Sequence, residues 1–446
     1  MTPPVAKENP HVAAFEKWVD VSEPAWLRPV RKAAMSHFIE LGFPTTDHEE
    51  WRFTPVTAIE KLPFKPVQQY SANGLTRESI EKFCYGGLKS SRLVFVDGHF
   101  SPELSAVNTQ PAGVRIANLA GGWSTDRIAM EKHLARHARS DENSFTALNT
   151  SFFQDGAFIH IPKGVTVPEP ILILHIATSG ETGSWSHQRN LIVAERESKA
   201  TVIESYVSLS NAAAVTNTVT EIVVEENASL EHCKVQRESL SAFHVATIQA
   251  QQQRVSRLLS HSIAIGSKFA RNDIHSIFEG EGAFSIMNGL YIGKGDQLID
   301  HHTVIDHAKA HCESHEYYNG VLDEKARGVF NGKIFVRKDA QKTDAKQTSR
   351  ALLLSDDAMV DAKPQLEIFA DDVKCTHGST VGQLDDDAIF YLRARGIGLQ
   401  QARQMLVVAF AGEILDRITI EPVREELHQL LVSRLAGKDI AHVTTQ

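Results

Sequence analysis

From about residue 150 to residue 382 the chain strings together short apolar or alternating runs, and hardly any segment there has a helical period. The runs include AFIHIP, PILILHIA, NLIVAE, TVIESYV, TEIVVEE, GLYIG, KIFVRK and QLEIFA, with turn residues between them. Apolar positions at period two mark half-buried strands. So long a series of strands without crossover helices does not fit a doubly wound α/β fold. A β-solenoid, whose successive coils stack over a shared interior, accounts for the pattern best. A pair of β-sandwiches or a double-barrel cupin-like body would use similar strands.

A weak internal repeat organises this region. A turn of the form acidic or polar residue, any residue, alanine introduces strands at ESKATVIES, ENASLEHC, EGAFSIMNG, EKARGVFNG and DDAMVDAKP. The alanines are Ala200, Ala228, Ala283, Ala326 and Ala358, and Asn-Gly pairs recur at Asn288-Gly289, Asn319-Gly320 and Asn331-Gly332. The spacing varies, so the repeat is not strict.

The flanks read differently. Residues 1–90 form a mainly helical N-terminal domain. Within it Trp26, Leu27, Val30, Ala34, Phe38 and Leu41 share one helical face, stopped by Gly42 and Pro44. The strand body then runs over residues 91–384, opening with LVFVDGHF and broken by a helical interlude near 126–138. A C-terminal helical domain covers residues 385–446. Its longer helix follows a break at Gly396 and Gly398 and is apolar at Leu399, Ala402, Met405, Leu406, Ala409, Phe410 and Ile414. The last helix opens at Pro422, ends at Gly437, and carries a stripe of Val423, Leu427, Leu430, Leu431 and Leu435. These helices could cap the strand body or offer a groove to a partner.

The bulk numbers narrow the function classes. Net charge is -9 and the Lys and Arg residues form no block, which argues against nucleic acid and anionic membrane as partners. No apolar run reaches the ~18 residues of a membrane span. The start, MTPPVAKENPHVAAFEKW, lacks the features of a signal or transit peptide. Cys84, Cys233, Cys312 and Cys375 lie far apart without a CxxC motif, as expected for free thiols in a reducing, cytoplasmic setting. No phosphate-binding GxxxxGK[ST] loop occurs, and no GxSxG or GxGxxG lies in a suitable context.

Two places carry candidate chemistry. In IDHHTVIDHAKAHCESHEYYNG, residues His307, His311 and His315 recur every four positions, which would put them on one face of a strand or a helix. With Cys312, Glu313 and Glu316 nearby, the stretch His301 to Glu316 suggests a metal site, although it lacks a motif such as HExxH. A ladder of polar side chains on a solenoid face is the plainer reading. In KCTHGSTVG, Cys375 and His377 are two residues apart, so in a strand both point to one side. They could chelate a soft ion, and Lys374 and His377 could lower the thiol pKa if close. The pair has no third member in sequence.

Longer stretches bear a resemblance. LNTSFFQDGAFIHIPKGVTVPEPILILH closely resembles the SufB/SufD family of iron–sulfur cluster assembly proteins. EEWRFTP, LVFVDGHF, IDHHTVIDHAKAHCESHEYYNGVL, GVFNGKIFV, AQKTDAKQTSRALLLSDDA, DVKCTHGSTVGQLDDDAIFYLRARGI and FAGEILDRI resemble it too, in order from about residue 49 to 418. Within the family the chain is more similar to SufD than to SufB. SufB carries a glutamate on either side of the histidine in the THGSTVG segment, and a cysteine implicated in cluster building where this chain has Arg350 or a neighbour.

The resemblance implies a mainly β fold, a right-handed parallel β-helix between helical N- and C-terminal domains. It implies a non-catalytic subunit that pairs with a SufB-like paralogue through the last coils and docks a SufC-like ABC ATPase on its C-terminal helices. Tyr391, Arg395, Met405, Phe410, Ile414 and Arg417 are the docking candidates. His377 and the adjacent Cys375 would face a nascent iron–sulfur cluster or iron shared with the paralogue. The chain alone would hold no stable cofactor, and its open strand edges would favour a homodimer. Two rivals remain at this stage. One is a metal-dependent or carbohydrate-active β-helix enzyme built on His301 to Glu316, and the other is a purely structural subunit.

Overall fold

The structure, a computed structural model, describes residues 9–18 and 23–435. The helix stop expected at Gly437 lies outside them, as does the start of the chain.

The strand region is a β-solenoid of eight coils, each contributing one strand to each of two facing parallel sheets. One sheet stacks Ala157–Ile161, Ser184–Ala194, Val215–Val224, Phe243–Gln252, Phe269–Phe278, Leu298–His307, Arg327–Val336 and Met359–Ile368. The facing sheet stacks Ile171–Ala177, Lys199–Ser208, Ser229–Arg237, Arg257–Ala264, Phe284–Gly293, Glu313–Leu322, Asp344–Leu353 and Lys374–Gly382. From Lys199 onward the second sheet is in register, rung over rung. Alternate side chains therefore form continuous rows on the inner or the outer face.

One corner explains much of the faint repeat. Gly164, Glu197, Asn227, Val255, Gly282, His311 and Lys342 occupy it on seven successive coils, all with φ between +56° and +73°. Each donates its N–H to a carbonyl of the next coil: Gly164 to Arg196, Glu197 to Glu226, Asn227 to Arg254, Val255 to Glu281, Gly282 to Ala310, His311 to Gln341 and Lys342 to Asp372. A left-handed residue turns the chain while its amide stays satisfied. Ala228 and Ala283 follow it as small buried residues. Ala326 and Ala358 stand at the opposite corner, while Ala200 lies within a strand beside Leu230.

The Asn-Gly pairs are not turns. Gly289 and Gly320 lie mid-strand, each opposite a tyrosine of the neighbouring coil. A Cβ on Gly289 would sit 2.0 Å from the Tyr318 ring, and one on Gly320 would sit 2.2 Å from the Tyr291 ring. Gly320→Ala is therefore expected to destabilise the fold by roughly 1–3 kcal/mol, as overpacking does. An unchanged urea midpoint for Gly320→Ala would contradict that packing.

The interior is apolar near Ile159, Ile192, Ile222 and Leu258 but becomes polar in the middle coils. Glu204 accepts from Tyr206 at 2.9 Å and Thr220 at 2.8 Å, with His232 Nε2 at 3.0 Å. Burial alone would raise its pKa. The charge and hydrogen bond of His232 outweigh burial and hold it at about 2. Lys234 lies 2.8 Å from His244 and donates to Asn272 at 2.7 Å. Burial draws its pKa down to about 8, against the pull of Glu204 and Glu238.

Helical regions cover both outer faces. Helices α1 (Pro10–Trp18), α2 (Leu27–Leu41), α3 (Arg127–His133) and α4 (Ser144–Phe152) belong to the N-terminal region. Phe15, Met35, Phe38, Phe145, Leu148 and Phe152 pack with Trp185, Val215, Phe243 and Phe269 on the outside of the first sheet. Helix α3 matches the expected interlude. Leu41, expected on the buried face of α2, is exposed. At the other end come α5 (Asp386–Ala394), α6 (Leu399–Leu415) and α7 (Glu421–Leu435). Val407, Ile414, Leu415, Val423, Leu427 and Leu431 lie on the outside of the second sheet against Cys233, Val235, Ile263, Leu290 and Val321. The C-terminal helices run along the flank of the solenoid rather than capping its end.

Candidate functional site at the open end of the solenoid

Both sheets finish on the same coil. Met359–Ile368 and Lys374–Gly382 each pair with one neighbour only, leaving two free strand edges side by side. The rim exposes apolar side chains, Met359, Phe369 and Val381 at 57%, 59% and 52%, among polar ones such as Asp371, Asp372, Lys374, Ser379 and Thr380. Unpaired edges with exposed apolar side chains beside them are a surface suited to protein pairing.

Cys375 and His377 sit on this last rung. Cys375 is in register with Ala345 and His377 with Gln347, both of which are buried in the interior. An in-register ladder keeps one face, so the two side chains share the inward row, as their spacing predicts. Their surroundings differ. His377 is exposed at the opening. Cys375 is half-buried against Ile334, Val336, Ala340, Ala345 and Ala370. Burial raises its thiol pKa, and the nearby Asp344 carboxylate adds to the rise. The expected lowering by Lys374 and His377 does not occur, because desolvation dominates.

Behind His377 the same row continues through Gln347 to Glu316. Gln347 Nε2 donates to Glu316 Oε2 at 2.6 Å. Burial pushes the Glu316 carboxyl up to about 7, against the hydrogen bond from Gln347. Sequence reasoning missed Gln347; the only signal was its place one coil, some thirty residues, before His377.

The His301 to Glu316 cluster does not assemble. His307 ends one strand and points inward, 2.9 Å from Ser314 Oγ. His311 is the left-handed corner residue, exposed, with φ +60°. His315 lies on the following strand, 2.6 Å from Glu313. His301 is enclosed between Tyr291 and Tyr318. A four-residue period assumes one continuous element, and here a corner interrupts it. Among the described residues no group of three or more His, Cys, Asp or Glu is arranged to hold a metal ion.

Of the docking candidates, Tyr391 and Met405 are exposed. The Arg395 guanidinium lies 3.5 Å from the centre of the Tyr391 ring, and that of Arg417 lies 3.8 Å from the centre of the Tyr317 ring. Phe410 is half-buried with Arg350 at 5.1 Å. Ile414 is 2% exposed and packs against the solenoid, so it is not available to a partner. Arg350 points outward and pairs with Glu413 of α6. No helix is long and apolar enough to cross a membrane among the described residues.

Residues 175–410 match the family described as SUF system FeS cluster assembly, SufBD core domain, and residues 12–173 match the SufBD protein N-terminal region. An iron–sulfur cluster assembly SufBD family protein of Synechocystis sp. is 33% identical, the match covering 91% of this chain and 90% of that protein. The iron–sulfur cluster assembly protein SufD of Escherichia coli is 32% identical over 95% of this chain and 97% of its own length. The chloroplastic protein ABCI7 of Arabidopsis thaliana is 27% identical over 90% of this chain and 84% of its own. With an eight-coil solenoid, helices on both flanks and both family regions matched in order, this chain belongs to the SufBD family of the Suf iron–sulfur cluster assembly system and is SufD-like.

Proposed function

We propose that the chain is a non-catalytic subunit of a cytoplasmic Suf scaffold. It pairs end to end with a SufB-like paralogue through the open coil and presents His377 to an iron ion or nascent cluster held between the two chains. The observation that carries this reading is the coincidence of two free strand edges, exposed apolar side chains and an exposed inward-row histidine on one rung. His377 and Cys375 provide two donors at most, so the remaining ligands would come from the partner. Imidazole is a suitable donor for iron. The raised pKa of Cys375 makes it the weaker member, a thiol that becomes a ligand only when a metal displaces its proton.

A SufC-like ABC ATPase would dock on the outer side of α5 and α6, where Tyr391, Arg395, Met405, Arg417 and the accessible edge of Phe410 lie. Closure of two such ATPases would then pull on the helices and shear the end-to-end contact, uncovering His377, a hinge-and-shear transition of a familiar kind. His377→Ala is expected to leave complex assembly intact and to lower cluster formation roughly tenfold or more, the scale of ligand-shell losses. Normal cluster yield from a fully assembled His377→Ala complex would remove His377 from the site.

A further inference from the structure

We infer that Gln347, held by Glu316, is a positioning residue for His377 and selects the ring nitrogen that His377 presents at the open end. This rests on the reading of His377 as a ligand. The three side chains occupy consecutive rungs of one inward row. Glu316 is 0% and Gln347 1% exposed. The amide nitrogen of Gln347 is committed to Glu316, which turns the amide carbonyl the other way. That carbonyl oxygen is buried and has no hydrogen-bond partner. A buried acceptor without a donor is unfavourable, so a donor that arrives gains by filling it.

His377 is the next side chain on the row, about 4.8 Å further along, a distance an imidazole spans. When a partner covers the end, the ring donates one N–H to Gln347 Oε1. Its other nitrogen is then deprotonated and faces outward, the form that binds a metal. Glu316 keeps the amide from flipping, because it accepts only from the NH₂ end while ionised.

The test uses the assembled Suf complex with cobalt(II) as a spectroscopic substitute for ferrous iron, on the alkaline side of the Glu316 titration. His377→Ala should abolish the cobalt–imidazole absorption. Gln347→Leu should weaken cobalt binding about 10- to 100-fold with assembly unchanged. The double variant Glu316→Gln with Gln347→Glu, which exchanges donor and acceptor between the two and keeps an acceptor facing His377, should restore most of the affinity, and Glu316→Gln alone should lie between. If His377→Ala removes the signal but Gln347→Leu binds like the parent, the positioning role is overturned alone. The same holds if that double variant is as weak as Gln347→Leu. If His377→Ala leaves cobalt binding unchanged, the ligand reading fails and this inference falls with it.

Discussion

Acidified from pH 7 to pH 5, the chain is expected to lose its fold cooperatively. Burial holds His11 and His175 at about 4, and His187, His301 and His307 at about 3, against an ordinary value of 6.5. A base whose folded pKa is depressed binds protons in the unfolded chain first. Its contribution is whole above pH 6.5 and declines as the pH falls toward the folded value. At pH 5 each of the five costs about 2 kcal/mol by that linkage. Glu316 and Asp155 act in the opposite sense, since burial raises them to about 7 and about 6, and together they offset about two histidines. The remainder, about 6 kcal/mol, is comparable with the whole stability of an ordinary domain. Far-ultraviolet circular dichroism and tryptophan fluorescence followed down the pH scale measure this directly. A thermal midpoint at pH 5 equal to that at pH 7 would refute it.

Arg189→Ala is expected to cost about 3–5 kcal/mol, the scale for breaking one side of a buried ion pair. Arg189 and Glu221 are both fully buried, with Nε donating to Oε2 at 3.0 Å. Arg189 also donates to Thr150 at 2.8 Å and Asn149 at 3.3 Å, tying α4 to the second coil. Glu221 accepts in addition from the backbone of Ala135, Arg136, His137 and Ala138. Those four amides satisfy its oxygens but leave its charge uncompensated once the guanidinium is gone. Arg189→Met with Glu221→Gln should recover most of the loss, because it removes the charge and keeps hydrogen-bonding capacity. A double variant no more stable in urea than Arg189→Ala would show that packing, not charge, dominates.

The solenoid was legible because its signal is repetitive. Period-two runs such as TVIESYV and KIFVRK need only local alternation to declare themselves, and in-register stacking preserves that alternation from coil to coil. The open-end pair was legible for the same reason, since Cys375 and His377 fall two apart on one strand. The misreadings share a different cause. His307, His311 and His315 keep their spacing across a corner that sequence periodicity cannot detect. Helix α6 is apolar nearly all round, so its sequence did not distinguish inward Ile414 from outward Met405. Helix α4 is rich in Ser, Thr and Asn, and its Asn143 cap together with its burial between α2 and the first sheet holds it helical. Glu204 and Lys234 look like surface residues until the adjacent strand supplies His232 and the facing sheet supplies Thr220, His244 and Asn272.

The in-register rungs also make the molecule a ruler. Helix α6 packs on Glu313–Leu322 and Phe284–Gly293, two and three strands back from the open edge of their sheet. At about 4.8 Å per rung, the distance between the outer helices and the opening is quantised at roughly 10–14 Å. A coil can be added or lost as a whole, but not in part, without displacing every row behind it. On the proposed end-to-end pairing, the number of coils after α6 would set how far a pull on that helix acts from the joint, and that leverage would change only in whole steps.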